Sequence, residues 1–191
     1  YAGLPLLISQ MKMNKRASEL KIFIHKSSEF FIKGIVTQSY LFEAKLGFKV
    51  SYFPFNHDEE FLIENIFHCI SKQNSHLDKY LKFDVGNNLS LMSSSFLIRT
   101  NNASLLYTGD LGNKIDLLLF DSTQFEYLIS EIMHISFDDL LPLINSGSIK
   151  KIYLTHIADE NEQSISDLIK NLPPASKNKI TVAYDGFTTS L

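Results

Sequence analysis

Leu105-Leu106-Tyr107-Thr108-Gly109-Asp110 is the stretch on which the fold of this chain turns. An apolar, strand-forming segment runs into a glycine, which permits a tight turn, and an aspartate follows at once. A carboxylate at the end of a buried strand is placed to ligate or bridge hard or borderline cations. A turn aspartate accepting from nearby backbone amides is the plainer reading, and the hexapeptide is compatible with both.

Further along, Lys151-Ile152-Tyr153-Leu154-Thr155-His156 repeats the pattern, an apolar strand emptying into a histidine. Ligands of layered α/β sheets gather at the C-terminal ends of strands, and neutral imidazole is the commonest metal ligand. Upstream, Asn74-Ser75-His76-Leu77-Asp78 follows an apolar strand in the same way. His57 competes with His76, but Asp58, Glu59 and Glu60 beside it suit a solvated acidic turn. Each histidine taken singly is also explained as a satisfied loop residue. Glu131-Ile132-Met133-His134-Ile135-Ser136 sets an acid and an imidazole close together ahead of a helix, which suits a general acid with an orienting carboxylate. A plain helix-entry segment reads the same way. Cys69, His25 and His68 lie on apolar strands and read as structural.

Periodicity around these points predicts helices over 4–15, 136–145 and 164–171, the last stopped by Pro173-Pro174, with Ser136 as N-cap of the second. A helix capped by Ser27 or Ser28 is expected to run to about residue 42. Strands are expected over 20–25, 48–53 (ended by Pro54), 61–63, 66–70, 115–120, 149–154 and 180–184. A hairpin is expected to join 94–100 to 104–107 around Asn101-Asn102, and 74–88 reads as a polar loop with a short helix. Strands and helices alternate in the second half, so the expected class is α/β (α+β), with sheets covered by helices.

The 191 residues suffice for one domain, and 45% hydrophobic with 20% charged residues excludes a disordered chain. A net charge of -3 argues against binding nucleic acid through the whole surface. The single cysteine cannot form an internal disulfide, no apolar run reaches membrane-spanning length, and no signal peptide is expected from Tyr1-Ala2-Gly3-Leu4-Pro5, which has no basic n-region. The expected setting is therefore cytoplasmic, without a membrane, and a homodimer is expected by base rate.

Taken in order, these segments resemble the metallo-β-lactamase-fold hydrolases, in particular their ribonuclease Z-like subgroup. Ala2-Gly3-Leu4-Pro5-Leu6-Leu7-Ile8 is similar to the segment after the family's His-x-His-x-Asp-His motif. Thr108-Gly109-Asp110 resembles its Ser/Thr-Gly-Asp, Leu154-Thr155-His156 its Leu-Thr-His, and Asn74-Ser75-His76 the segment of its middle histidine. His134 resembles the histidine beside the substrate phosphate, and Ala183-Tyr184-Asp185-Gly186 the end of such chains.

The resemblance implies a four-layer αββα sandwich, a single domain over 1–191 that is incomplete at its N-terminus. The His-x-His-x-Asp-His motif is expected just before Tyr1, so the fragment alone is expected to be inactive and to bind metal weakly. The implied metal ligands are His76, Asp110 (bridging) and His156, with His134 and Glu131 catalytic. Two zinc ions are the implied cofactor, with manganese or iron as alternatives. The implied reaction is attack of a metal-activated hydroxide on a phosphodiester or related ester, of a small molecule or a nucleic acid. The rival readings are a non-catalytic binding protein, a cyclic-nucleotide phosphodiesterase or a thioester or lactone hydrolase of the same fold, and an unrelated doubly wound domain. The last would leave His76, Asp110 and His156 far apart.

Overall fold

The computed structural model describes residues 3–86 and 88–190. Tyr1, Ala2, Asn87 and Leu191 lie outside the described residues, and with them the first residue of the Ala2–Ile8 segment. The chain divides into two compact units, residues 1–57 and 58–191.

In the first unit, helix α1 (Leu4–Met13) carries Pro5 in its first turn, where a missing N–H costs nothing because the N–H groups there have no helical acceptor. Strands β1 (Leu20–His25) and β2 (Val50–Phe55) pair in parallel through a crossover containing α2 (Glu29–Gln38) and the short α3 (Glu43–Leu46). Ile8, Val36, Leu46 and Phe48 form the core, so both longer helices and the loop before β2 pack on one another. The expected second helix is shorter than read. It stops at Gln38, and Tyr40 has a positive φ of 58°. Ser28 holds the N-cap position without a side-chain capping bond. Pro54 lies inside β2 and does not end it. A two-stranded sheet leaves one edge of each strand without a ladder partner, where a missing N–H does no harm. His25 stacks on His57, with ring centroids 4.5 Å apart, so His57 belongs to this unit's own histidine pair.

The second unit is built on a seven-stranded sheet in chain order: β3 (Glu60–Ile63), β4 (Phe67–Gln73), β5 (Ser94–Arg99), β6 (Ser104–Tyr107), β7 (Tyr127–Glu131), β8 (Lys151–Thr155) and β9 (Ile180–Val182). Pairing is antiparallel from β3 to β6 and parallel from β6 to β9. The β3–β4 turn places Glu64 and Asn65 at positive φ and closes with Ile66 N donating to Ile63 O (3.1 Å), the signature of a type I′ turn. Helices α4 (Phe137–Ile144) and α5 (Glu162–Lys170) form the crossovers on either side of β8, and the short α6 (Pro174–Lys177) leads into β9. Leu97, Leu106, Leu128, Ile152 and Leu154 from the strands pack with Leu140, Ile144 and Ile165 from the helices. Full burial of such a side chain stabilises by about 1.5–3 kcal/mol. Cys69 on β4 is buried, as expected.

Two sequence expectations fail here. Residues 115–120 are not a strand: Lys114–Leu118 is a 3₁₀ turn capped by Asn113, and Ile115 and Leu118 are exposed. The strand beside β6 is Tyr127–Glu131, which the apolar pattern had not marked. The mixed α/β class stands. Among the described residues, no helix is long and apolar enough to cross a membrane.

Candidate metal centre

Strand direction decides where the polar residues meet. β6, β7 and β8 are parallel, and β4 runs the same way because two antiparallel pairings separate it from β6. The C-terminal ends of these four strands therefore lie along one rim of the sheet. His76 follows β4, Asp110 follows β6, Glu131 ends β7 and His156 follows β8. His134 sits in the loop from β7 into α4. The rim thus gathers all five residues that the sequence singled out, and this excludes the unrelated domain that would separate them.

Asp110 is at the centre. One carboxylate oxygen lies 3.0 Å from His156 Nδ1 and the other 3.9 Å from His76 Nε2. His76 Nδ1 lies 3.2 Å from the carbonyl of Leu111. A carbonyl can only accept, so Nδ1 carries the proton and the neutral ring leaves its lone pair on Nε2. In that tautomer the lone pair faces a carboxylate oxygen 3.9 Å away, and a cation can be shared by two such acceptors. The donor set therefore fits a metal. The His134 ring stands edge-on to both neighbours, with centroids 4.7 Å from His76 and 5.6 Å from His156. His156 itself has φ of 49°, a left-handed conformation that is sparsely populated except by Gly and a few polar residues.

Glu131 is 2% exposed. It accepts from the backbone N–H of Leu111 (3.1 Å), Met133 (2.5 Å) and His134 (2.9 Å), and its Oε1 lies 3.4 Å from His134 Nδ1. Among the described residues, Glu131, His134 and His156 form the group that brings ligand atoms within 4.8 Å of one another, close enough to share one ion. Asp110 is about half exposed and its two oxygens face imidazoles. Glu131 is already committed to three amides.

Two supporting residues, Asn74 and Asp116, escaped the sequence reading, whereas Gly109 was read as the turn residue ahead of Asp110. Asn74, buried behind His76, donates to Ser95 Oγ and to the Thr108 carbonyl (both 3.2 Å) and accepts from His76 N (3.2 Å). Gly109 has φ of 61°, and a β-carbon there would lie 2.9 Å from the Ser94 carbonyl. Asp116 is buried and accepts from the loops of both His76 and Asp110. Its signal was the Asn113-x-x-Asp116 spacing of a capping box. Two clefts open beside the cluster. One of about 350 Å³ is lined by His76, His134, Lys79, Ser75 and Asn113. The other, about 950 Å³, is lined by His156 with Asp159, Glu162, Tyr184 and Asp185.

No protein-family model matches this sequence, and no curated protein does either. Solved structures do. The metallo-β-lactamase fold protein YhfI from Bacillus subtilis is similar over 97% of this chain and 70% of its own, with a TM-score of 0.63 and 13% identity. Zinc-bound PqqB from Methylobacterium extorquens matches 96% of this chain and 69% of its own, with a TM-score of 0.55 and 12% identity. A diphosphatase of the PhnP family matches 91% of this chain and 59% of its own, with a TM-score of 0.53 and 14% identity. At such identities the likeness concerns architecture alone. The fold of this chain is that of the metallo-β-lactamase proteins.

Proposed function

We propose that this chain carries part of the active site of a metal-dependent hydrolase, with His76, Asp110 and His156 as ligands and Asp110 bridging two ions. The observation that carries the reading is the opposition of Asp110 to two imidazoles, one of them presenting a lone pair fixed by the Leu111 carbonyl. Zinc is the default ion, with manganese or iron as alternatives, and the zinc-bound PqqB structure supports that choice. When bound, such a pair of ions supplies a Lewis acid and a hydroxide near neutral pH.

The chain's own residues do the rest. One Asp110 oxygen lies within hydrogen-bond distance of His156 Nδ1, and the other faces His76 Nε2. Glu131, anchored by three amides, orients His134, which delivers a proton to the leaving group. Lys79, on the wall of the cleft beside His76 and His134, favours an anionic substrate. A phosphodiester of a small molecule or a nucleic acid is the substrate proposed, and the diphosphatase among the similar structures supports phosphorus chemistry. Further ligands are proposed to come from a His-x-His-x-Asp-His segment of the full-length protein, so this piece alone is proposed to be inactive.

Metal analysis and phosphodiesterase assay of the full-length protein test this. Wild type is expected to hold divalent metal and cleave bis(p-nitrophenyl) phosphate. Asp110→Ala is expected to lose activity by about 100-fold or more, since the ion contributes several kcal/mol to the transition state. No bound metal, or unchanged activity in Asp110→Ala, overturns the reading.

A further inference from the structure

Asp116 lies on no strand end and faces neither cleft's lining, yet it is buried, at 8% exposure, between the two loops that carry His76 and Asp110. Its Oδ2 accepts from Ser75 Oγ (2.8 Å), Gly112 N (2.8 Å) and Asn113 N (3.3 Å), and Ser75 N lies 3.2 Å from both oxygens. These donors are all neutral. A carboxylate kept from water needs such a set of bonds, and each bond fixes the group that donates it.

We propose that Asp116 is a positioning residue of the metal centre, setting the spacing and tautomer of His76 relative to Asp110 through Ser75 and Gly112. Ser75 immediately precedes His76. Gly112 immediately follows Leu111, whose carbonyl selects the protonated nitrogen of His76. One carboxylate therefore governs the path into one ligand, the path out of the other and the acceptor that orients the imidazole. Asn113 closes the same loop by donating to Ser75 Oγ (2.7 Å).

A capping role alone does not account for this. The capping box at α4 offers an internal comparison: Asp139 bonds Ser136 N (3.0 Å) and Ser136 Oγ (2.6 Å), both in its own turn. Asp116 also caps its turn, but its bonds to Ser75 reach across to another loop, where the cap has no use for them.

The inference rests on the metal-centre reading, and the test separates the two. Asp116→Asn and Asp139→Asn are made in the full-length protein, which is compared with wild type by competition for zinc against a chromogenic chelator and by ¹⁵N NMR of the His76 ring. Asp116→Asn is expected to weaken zinc binding by about 10–100-fold, the usual effect of removing a group that orients a ligand, and to mix the His76 tautomers. Asp139→Asn is expected to change neither. Ser75→Ala, a milder cut of the same link, is expected to move both readouts in the direction of Asp116→Asn and serves if that variant does not fold. Unaltered zinc affinity and an unmixed tautomer in Asp116→Asn or Ser75→Ala overturn this inference alone. Wild-type protein that takes up no zinc overturns the metal-centre reading beneath it.

Discussion

Gly112 and Ser75 meet backbone to backbone: a β-carbon built at Gly112 would lie 2.4 Å from both the carbonyl carbon and the carbonyl oxygen of Ser75. No rotamer change relieves such an overlap, because the obstructing atoms are main chain. Gly112→Ala is expected to force the 74–76 loop away from Asp110 and to cost about 1–3 kcal/mol, as overpacking does. Gly147→Ala is the control, since nothing lies within 4 Å of a β-carbon there. Urea unfolding of both variants checks this, and equal stabilities would contradict it.

Glu131→Gln is expected to destabilise the protein by about 1–3 kcal/mol, the usual cost of a buried group left badly paired. The substituted amide brings an N–H where the backbone already supplies N–H groups from Leu111, Met133 and His134. Denaturant midpoints report the loss. A variant as stable as wild type would show that the carboxylate does not organise the loop after β7.

Cys69 is 1% exposed, and burial pushes its thiol above the ordinary range. Both effects suppress the reactive thiolate. A disulfide-exchange reagent at mildly alkaline pH is expected to label the native chain only slowly and the denatured chain fully. Fast labelling of native protein would mean that β4 opens readily.

Asp139 titrates below the ordinary carboxylate range because the Ser136 hydroxyl and backbone N–H both donate to it. The sign follows from a lowered folded value. The cap's contribution is fully present above the unfolded pKa and disappears as pH falls through the folded one. Wild type and Asp139→Asn are therefore expected to differ in unfolding midpoint at neutral pH and to converge in acid. A gap that persists in strong acid would assign the effect to something other than the charge.

The sequence disclosed the site better than it disclosed the frame. Leu105–Asp110 and Lys151–His156 were readable because each is an apolar strand ending on a polar residue, and pairing in register puts such ends on one rim. Residues 115–120 misled because five of the six side chains are aliphatic or aromatic, four of them in an unbroken run from Leu117 to Phe120, which looks like a buried strand. The capping box at Asn113 and Asp116 overrules it and turns Ile115 and Leu118 outward. Tyr127–Glu131 was missed for the opposite reason. It ends in a buried charge, tolerated only because amides from a distant loop and the following turn converge on it. Such convergence is tertiary and leaves no local periodicity.

The rim that gathers His76, Asp110, Glu131 and His156 takes one residue from each of four strand ends spread from residue 76 to residue 156. Single crossovers join neighbouring members, Asp110 with Glu131 and Glu131 with His156, but His76 and His156 come to face Asp110 only when every strand from β4 to β8 is in place, so no early, local folding intermediate holds the whole site. An ion bound there would recognise the completed sheet and lower the free energy of that state alone. Metal uptake would then be the last event of maturation, and demetallated chains would be the pool from which unfolding and proteolysis draw.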